Sequence, residues 1–257
     1  MTSLVVALSI LVSLFLVVAP PHTLLGKAEV VGYAICHQIP ERSFILGGHR
    51  LPLCARCTGT FLGAVLGLTA MLIRRRGRAS LLPPVPVLAV LVIFVGMWAF
   101  DGLNSYMTLF PGAPHLYEPR NWLRLLTGLL NGLALITFVF PIFNFTLWRK
   151  PTRERVIRNL GELAVLLPVV ALLVFVIQAE LSALLYPLAL LSSLGVVLML
   201  AIINAMIATI VLGREGYATT WKEALVPLTT GTALALVEMA AIVVLRDYLT
   251  RTLGMPF

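Results

Sequence analysis

The chain has 257 residues, 60% of them hydrophobic and 12% charged, against about a quarter charged in soluble domains, which excludes a water-soluble globular fold. Its net charge is +8, yet the basic residues fall in short clusters between apolar runs of membrane-spanning length. That pattern excludes nucleic acid as a partner and makes the lipid bilayer the surrounding medium.

Residues 2 to 19 are apolar and long enough to cross ~30 Å of hydrocarbon at about 1.5 Å per residue. No Lys or Arg precedes them and the run ends in Ala19-Pro20-Pro21, so they read as a retained first helix and not as a cleaved signal peptide. The polar stretch from Tyr33 to Gly59 follows; it holds all three cysteines and two of the four histidines. A second span, 58 to 73, is closed by Arg74, Arg75, Arg76 and Arg78. The third begins after Pro83-Pro84-Val85-Pro86, where proline is tolerated at a helix start, and runs to about 110. A polar loop leads to a fourth span at 122 to 148, closed by Arg149, Lys150, Arg153, Arg155 and Arg158. Three more are expected at 161 to 178, 186 to 212 and 224 to 245.

The pattern therefore predicts an all-α, polytopic transmembrane bundle of about seven spans. Residues 1–148 form a four-helix core bearing the Cys/His loop (33–59), and 149–257 a three-helix carboxy-terminal extension. Eleven of the nineteen Lys and Arg residues then lie on one side. Short cytoplasmic loops carry the Lys/Arg excess, which predicts a cytoplasmic amino terminus, a multi-pass protein of the cytoplasmic (inner) membrane, and an extracytoplasmic Cys/His loop.

Polar residues inside the spans converge at one level. Asp101 lies about 24 Å along the third span, with Asn104 and Ser105 on the same face. Arg124 enters at the matching end of the fourth, with Asn121 one turn earlier, and Cys57 marks the start of the second. Gly59, Gly63 and Gly67 on the second span, and Gly128 and Gly132 on the fourth, offer small-residue surfaces that permit close helix approach. Bare intramembrane charges are costly, so Asp101 is expected to pair with Arg124. Asn131 and Asn204 are expected to bond between helices, and Glu238 needs a partner or a proton.

Cys54 and Cys57 form a C-x2-C pair, the spacing at which two thiolates reach one ion. Three cysteines are an odd number for a disulfide framework, whereas three thiolates and one histidine fill a tetrahedral site. Cys36 supplies the third thiolate and His37 or His49 the fourth ligand; His49 is favoured because adjacent Cys-His residues seldom both bind. These ligand types suit zinc. A catalytic version would use Asp101 as base and Arg124 to hold an anionic group such as a lipid phosphate. A structural version makes the chain an accessory subunit beside other membrane subunits. The same cysteines also fit a quinone-linked thiol-disulfide oxidoreductase, with Arg56 favouring a thiolate, or a disulfide that staples the loop.

The blocks CHQIPERS (Cys36 to Ser43) and PLCARCTG (Pro52 to Gly59), with Asp101-Gly102 and then Glu118, Asn121, Arg124 and Gly128, resemble the prokaryotic membrane proteins grouped as domain-of-unknown-function family 2085. The resemblance covers about residues 33 to 132. It implies that Cys36, His37, Cys54, Arg56, Cys57, Asp101, Asn121 and Arg124 belong to one shared site, and it names no reaction. Ser105 stands where the family tends to have Gln.

Overall fold

The computed structural model describes residues 2–110, 112 and 114–254. Helix α1 (Thr2–Val18) is apolar throughout and stops before Pro20 and Pro21, whose rings cannot continue a helical hydrogen-bond ladder. Its 17 residues rise about 26 Å, a little short of the hydrocarbon thickness. The Lys27 ammonium folds back onto the carbonyls of Leu16 and Ala19 and so satisfies the open end of α1. Lys27 itself belongs to α2 (Leu24–Ile35), a helix that hydropathy alone does not announce because 12 residues containing a Lys and a Glu are neither long nor uniformly apolar. Thr23 caps it by accepting from the Gly26 N–H at 3.1 Å.

The other six expected spans are all helices long and apolar enough to cross a membrane. They are α3 (Ala55–Ile73), α4 (Val85–Met107), α5 (Asn121–Leu147), α6 (Leu160–Ala164) continued by α7 (Leu167–Gln178), α8 (Leu185–Val211) and α9 (Trp221–Leu253). Helix α9 runs past the expected boundary at 245, and its Arg246 uses the extra length to reach the carbonyl of Cys36 at 2.7 Å. The described chain is thus a helical membrane bundle with very little sheet.

Helix α5 is the most enclosed span, with Leu125, Leu129 and Leu133 at the centre of the core. Helix α3 lies against it, parallel and through glycine: a Cβ on Gly63 would stand 2.1 Å from the Leu129 carbonyl oxygen, and one on Gly132 1.9 Å from that of Thr60. Two helices therefore begin side by side at one end of the bundle. That end also gathers the hairpin of β1 (Ile45–Leu46) and β2 (His49–Arg50), turned by Gly47 and Gly48 at positive φ.

The opposite end is closed by a short parallel pair, β3 (Ala79–Leu81) with β4 (Thr152–Arg155). There Arg76, only 5% exposed, forks onto both carboxylate oxygens of Glu162 at 2.6 Å and reaches the Val156 carbonyl. Glu162→Ala is expected to lower stability by about 1–3 kcal/mol, because charge-assisted bonds to a buried guanidinium are lost. Thermal unfolding in detergent measures this, and an unchanged midpoint would mean that water replaces the carboxylate.

Candidate functional site

Helix α2 ends where Cys36 turns to extended backbone. Two residues on, Gln38 adopts φ +51°, and its amide donates to the Pro52 carbonyl at 2.8 Å while Arg50 donates to the Gln38 carbonyl at 2.7 Å. These bonds hold the chain after Cys36 against the chain before Cys54. Cys54 occupies the N-cap of α3 without making a side-chain cap, and its backbone N–H donates to Cys36 Sγ at 3.3 Å. The three thiols lie close enough that each acts on the proton affinity of the others. All are free thiols; Cys36 and Cys54 are buried and Cys57 half-buried.

His37 joins them. One donor atom each from Cys36, His37 and Cys54 lies within 4.8 Å of the others, near the separation of roughly 3.8 Å expected for tetrahedral sulfur ligands about 2.3 Å from an ion. Its Nδ1 accepts from the Ile39 N–H at 3.0 Å. His49, the favoured fourth ligand on spacing, is instead carried outward on β2. It is exposed and lines a separate cleft of about 370 Å³ with Glu29, Gln38 and Arg50. His49 is not among the donor atoms grouped around Cys36 and Cys54.

Within the thiol group the proton affinities separate. The neighbouring thiols of Cys54 and then Cys57 lower the Cys36 pKa far below the usual thiol range. Cys54 is pushed up to about 11, first by its bond to Cys36. One sulfur ionises first and the others solvate it.

Beside the thiols lies an arginine cluster. Arg56, in the first turn of α3, pairs with the Asp101 carboxylate and donates to Ser105 Oγ at 3.1 Å. Asp101, 1% exposed, also accepts from the Tyr117 hydroxyl at 2.8 Å. Burial, and then this bond, raise the Tyr117 pKa to about 12, so the phenol stays a donor. The expected Asp101 to Arg124 pairing is not formed. Arg124 is held by Asn121 Oδ1 at 2.8 Å, one turn earlier on its own helix, and approaches Ser105 Oγ at 3.4 Å, while Arg56 is aimed across at α4. Asn121 in turn donates to the carbonyls of Glu41 and Ser43.

Sequence reasoning passed over Arg42, Gln38 and Tyr117. Arg42, in the 3-10 turn Pro40–Arg42, donates to the Ser105 carbonyl at 2.9 Å; it and Gln38 lie inside the CHQIPERS block, which was their signal. Tyr117 sits in an aperiodic loop and had none. Glu118 remains exposed and bonds His115 at 3.0 Å. Asn204 bonds between helices as expected, to the exposed Glu238 at 2.8 Å. Asn104 ties the 108–120 loop to α4 through Leu116 and Tyr117.

Residues 36–138 match the family described as "Predicted membrane protein (DUF2085)". The chain is 31% identical over 117 residues to an uncharacterized protein of Methanocaldococcus jannaschii, covering 45% of this chain and 68% of that one. It is 37% identical over 102 residues to an uncharacterized protein of Methanothermobacter thermautotrophicus, covering 39% of this chain and 80% of the relative. No solved structure matches it. The matched region spans the thiols, the arginine cluster, α3 and the first two-thirds of α5.

Proposed function

The chain belongs to the family of predicted membrane proteins designated DUF2085, and from that premise we propose that it is a membrane protein built around a zinc-like metal site. Cys36, Cys54 and Cys57 supply thiolates and His37 the fourth donor. The observation that carries this is the convergence of His37 with the thiols of Cys36 and Cys54, which come from separate segments. The donor set is soft, and the donor atoms of Cys36, His37 and Cys54 lie within 4.8 Å of one another, a set that suits zinc. A metal there would tie α2 to α3 and hold the cysteines reduced. The clusters Arg74 to Arg78 and Arg149 to Arg158 gather at the opposite end, which supports an extracytoplasmic site by the positive-inside rule.

Asp101 accepts from both Arg56 and Tyr117 and is almost wholly buried. Its part is to hold the Arg56 guanidinium and not to act as a base. Glu238, exposed on a spanning helix, is costly in lipid, and that supports an adjoining membrane subunit covering it.

The purified protein is expected to carry about one zinc per chain, the stoichiometry of a single tetrahedral site, and to show all three cysteines as free thiols once chelated and denatured. Elemental analysis and thiol counting check both. A metal-free protein with one free thiol would favour a second reading, quinone-linked thiol-disulfide exchange, which the stabilised Cys36 thiolate beside two further thiols supports. In that reaction two thiols form a disulfide and pass two electrons and two protons to the quinone. Reduction of added quinone would then be the decisive assay.

A further inference from the structure

Helices α3 and α5 run parallel and in glycine contact, so their positive ends add at one point. Neither has an acidic residue in its first turn, and neither N-cap residue, Cys54 or Arg120, makes a side-chain cap. Onto these ends the sequence adds Arg56 and Arg124, and the 3-10 turn adds Arg42. All three guanidiniums reach one residue: Arg42 the Ser105 carbonyl at 2.9 Å, Arg56 and Arg124 the Ser105 hydroxyl at 3.1 and 3.4 Å. Their exposure is only 9% for Arg42 and 6% for Arg124, with the Arg56 side chain at 14%.

Among the described residues one buried carboxylate, Asp101, answers these three charges. Like charges held together out of water oppose one another, and each also loses hydration. Burial and then Arg56 lower the Arg42 pKa, the mark of that opposition. Donors also remain unused. Arg56 Nε is buried without any partner, Arg42 engages through Nη2 alone, and Arg124 leaves Nη2 open. A divalent ion held by three thiolates carries one negative charge; with Asp101 it cancels two of the three positive charges and leaves one. The excess therefore persists whether or not a metal is bound.

We propose that this cluster is an anion site whose ligand is a phosphate group, free or on a lipid headgroup, held by Arg42 and Arg124 with Arg56 behind them. Phosphate fits better than a planar anion because its tetrahedral oxygens accept from several guanidinium forks at once, and helix amino ends favour it further. Asp101 and Tyr117 orient Arg56, and Asn121 orients Arg124; these are positioning residues.

The test uses the full-length protein in detergent or nanodiscs, with zinc content measured on every sample. Thermal unfolding is followed at constant ionic strength against inorganic phosphate, phosphatidic acid and phosphatidylcholine. A midpoint that rises with inorganic phosphate identifies a free anion, and one that rises only with phosphatidic acid identifies a lipid-borne one; either supports the site. Arg42→Gln should shift the half-saturating concentration upward by about tenfold or more, the effect of losing a charge-assisted bond. Arg42→Lys, which keeps the charge without the fork, should fall between. Arg251→Gln, on exposed α9 surface, should respond as the wild type does.

The proposal is overturned if the zinc-loaded wild type responds to neither phosphate source, or if Arg42→Gln and Arg42→Lys both respond like the wild type. A phosphate response in zinc-free protein would support the anion site while rejecting the metal reading.

Discussion

Asp101→Ala should destabilise the protein by about 3–5 kcal/mol, the cost of leaving a buried partner charge uncompensated. Arg56 would keep only the Ser105 hydroxyl and the residue-101 carbonyl as acceptors, and the Tyr117 hydroxyl would lose its acceptor. The double variant Asp101→Ala with Arg56→Met should recover much of the loss, because removing both charges also removes their desolvation cost. Urea or thermal unfolding of the two variants side by side measures this. A single variant as stable as the wild type would mean that water reaches Arg56 freely, and the buried pair would lose its structural role.

The second large effect belongs to the α3–α5 seam. Gly132→Val should destabilise by at least about 3 kcal/mol, the upper part of the overpacking range. Even the first added carbon would stand 1.9 Å from a backbone oxygen, which cannot rotate aside as a side chain can. The helices must separate, and with them Arg56 and Arg124. Gly96→Ala supplies the contrast, because a Cβ there meets nothing within 4 Å and alanine is the better helix former by about 1 kcal/mol. Equal losses at both positions would show that the seam is not close-packed.

The spanning helices were legible because hydrocarbon leaves a single strong pattern, a long apolar run bounded by arginine or proline. Helix α2 was not, since its burial is carried by Gly26, Ala28, Gly32 and Ala34, residues without a hydropathy signal. Counting along the spans placed Asp101 and Arg124 at one level; Asp101 binds Arg56, and Arg56 and Arg124 both reach the Ser105 hydroxyl. Level does not give rotation, however. Helix α4 packs on α5, the helix of Arg124, yet Asp101 takes Arg56 of α3, a choice that depth alone does not predict. That His37 lies with Cys36 and Cys54 while His49 sits exposed on a two-glycine hairpin is likewise something that no spacing encodes. Arg42 and Gln38 lie inside the CHQIPERS block, but what they bond became visible only when distant segments met.

The parallel seam also sets an order of assembly. Two neighbouring helices that run the same way cannot form a hairpin; α4 must first return the chain across the bilayer before α5 can enter beside α3. Until then a growing chain carries Arg56 and Asp101 with neither Arg124 nor the glycine partner face. Arg246 of α9 grips the Cys36 carbonyl, so the first thiol-bearing turn is secured only after the last described helix has been made. The site is therefore a late product of biogenesis, and a nascent chain stalled before α5 would present an exposed glycine stripe and unfinished charges to the quality-control proteases of the membrane.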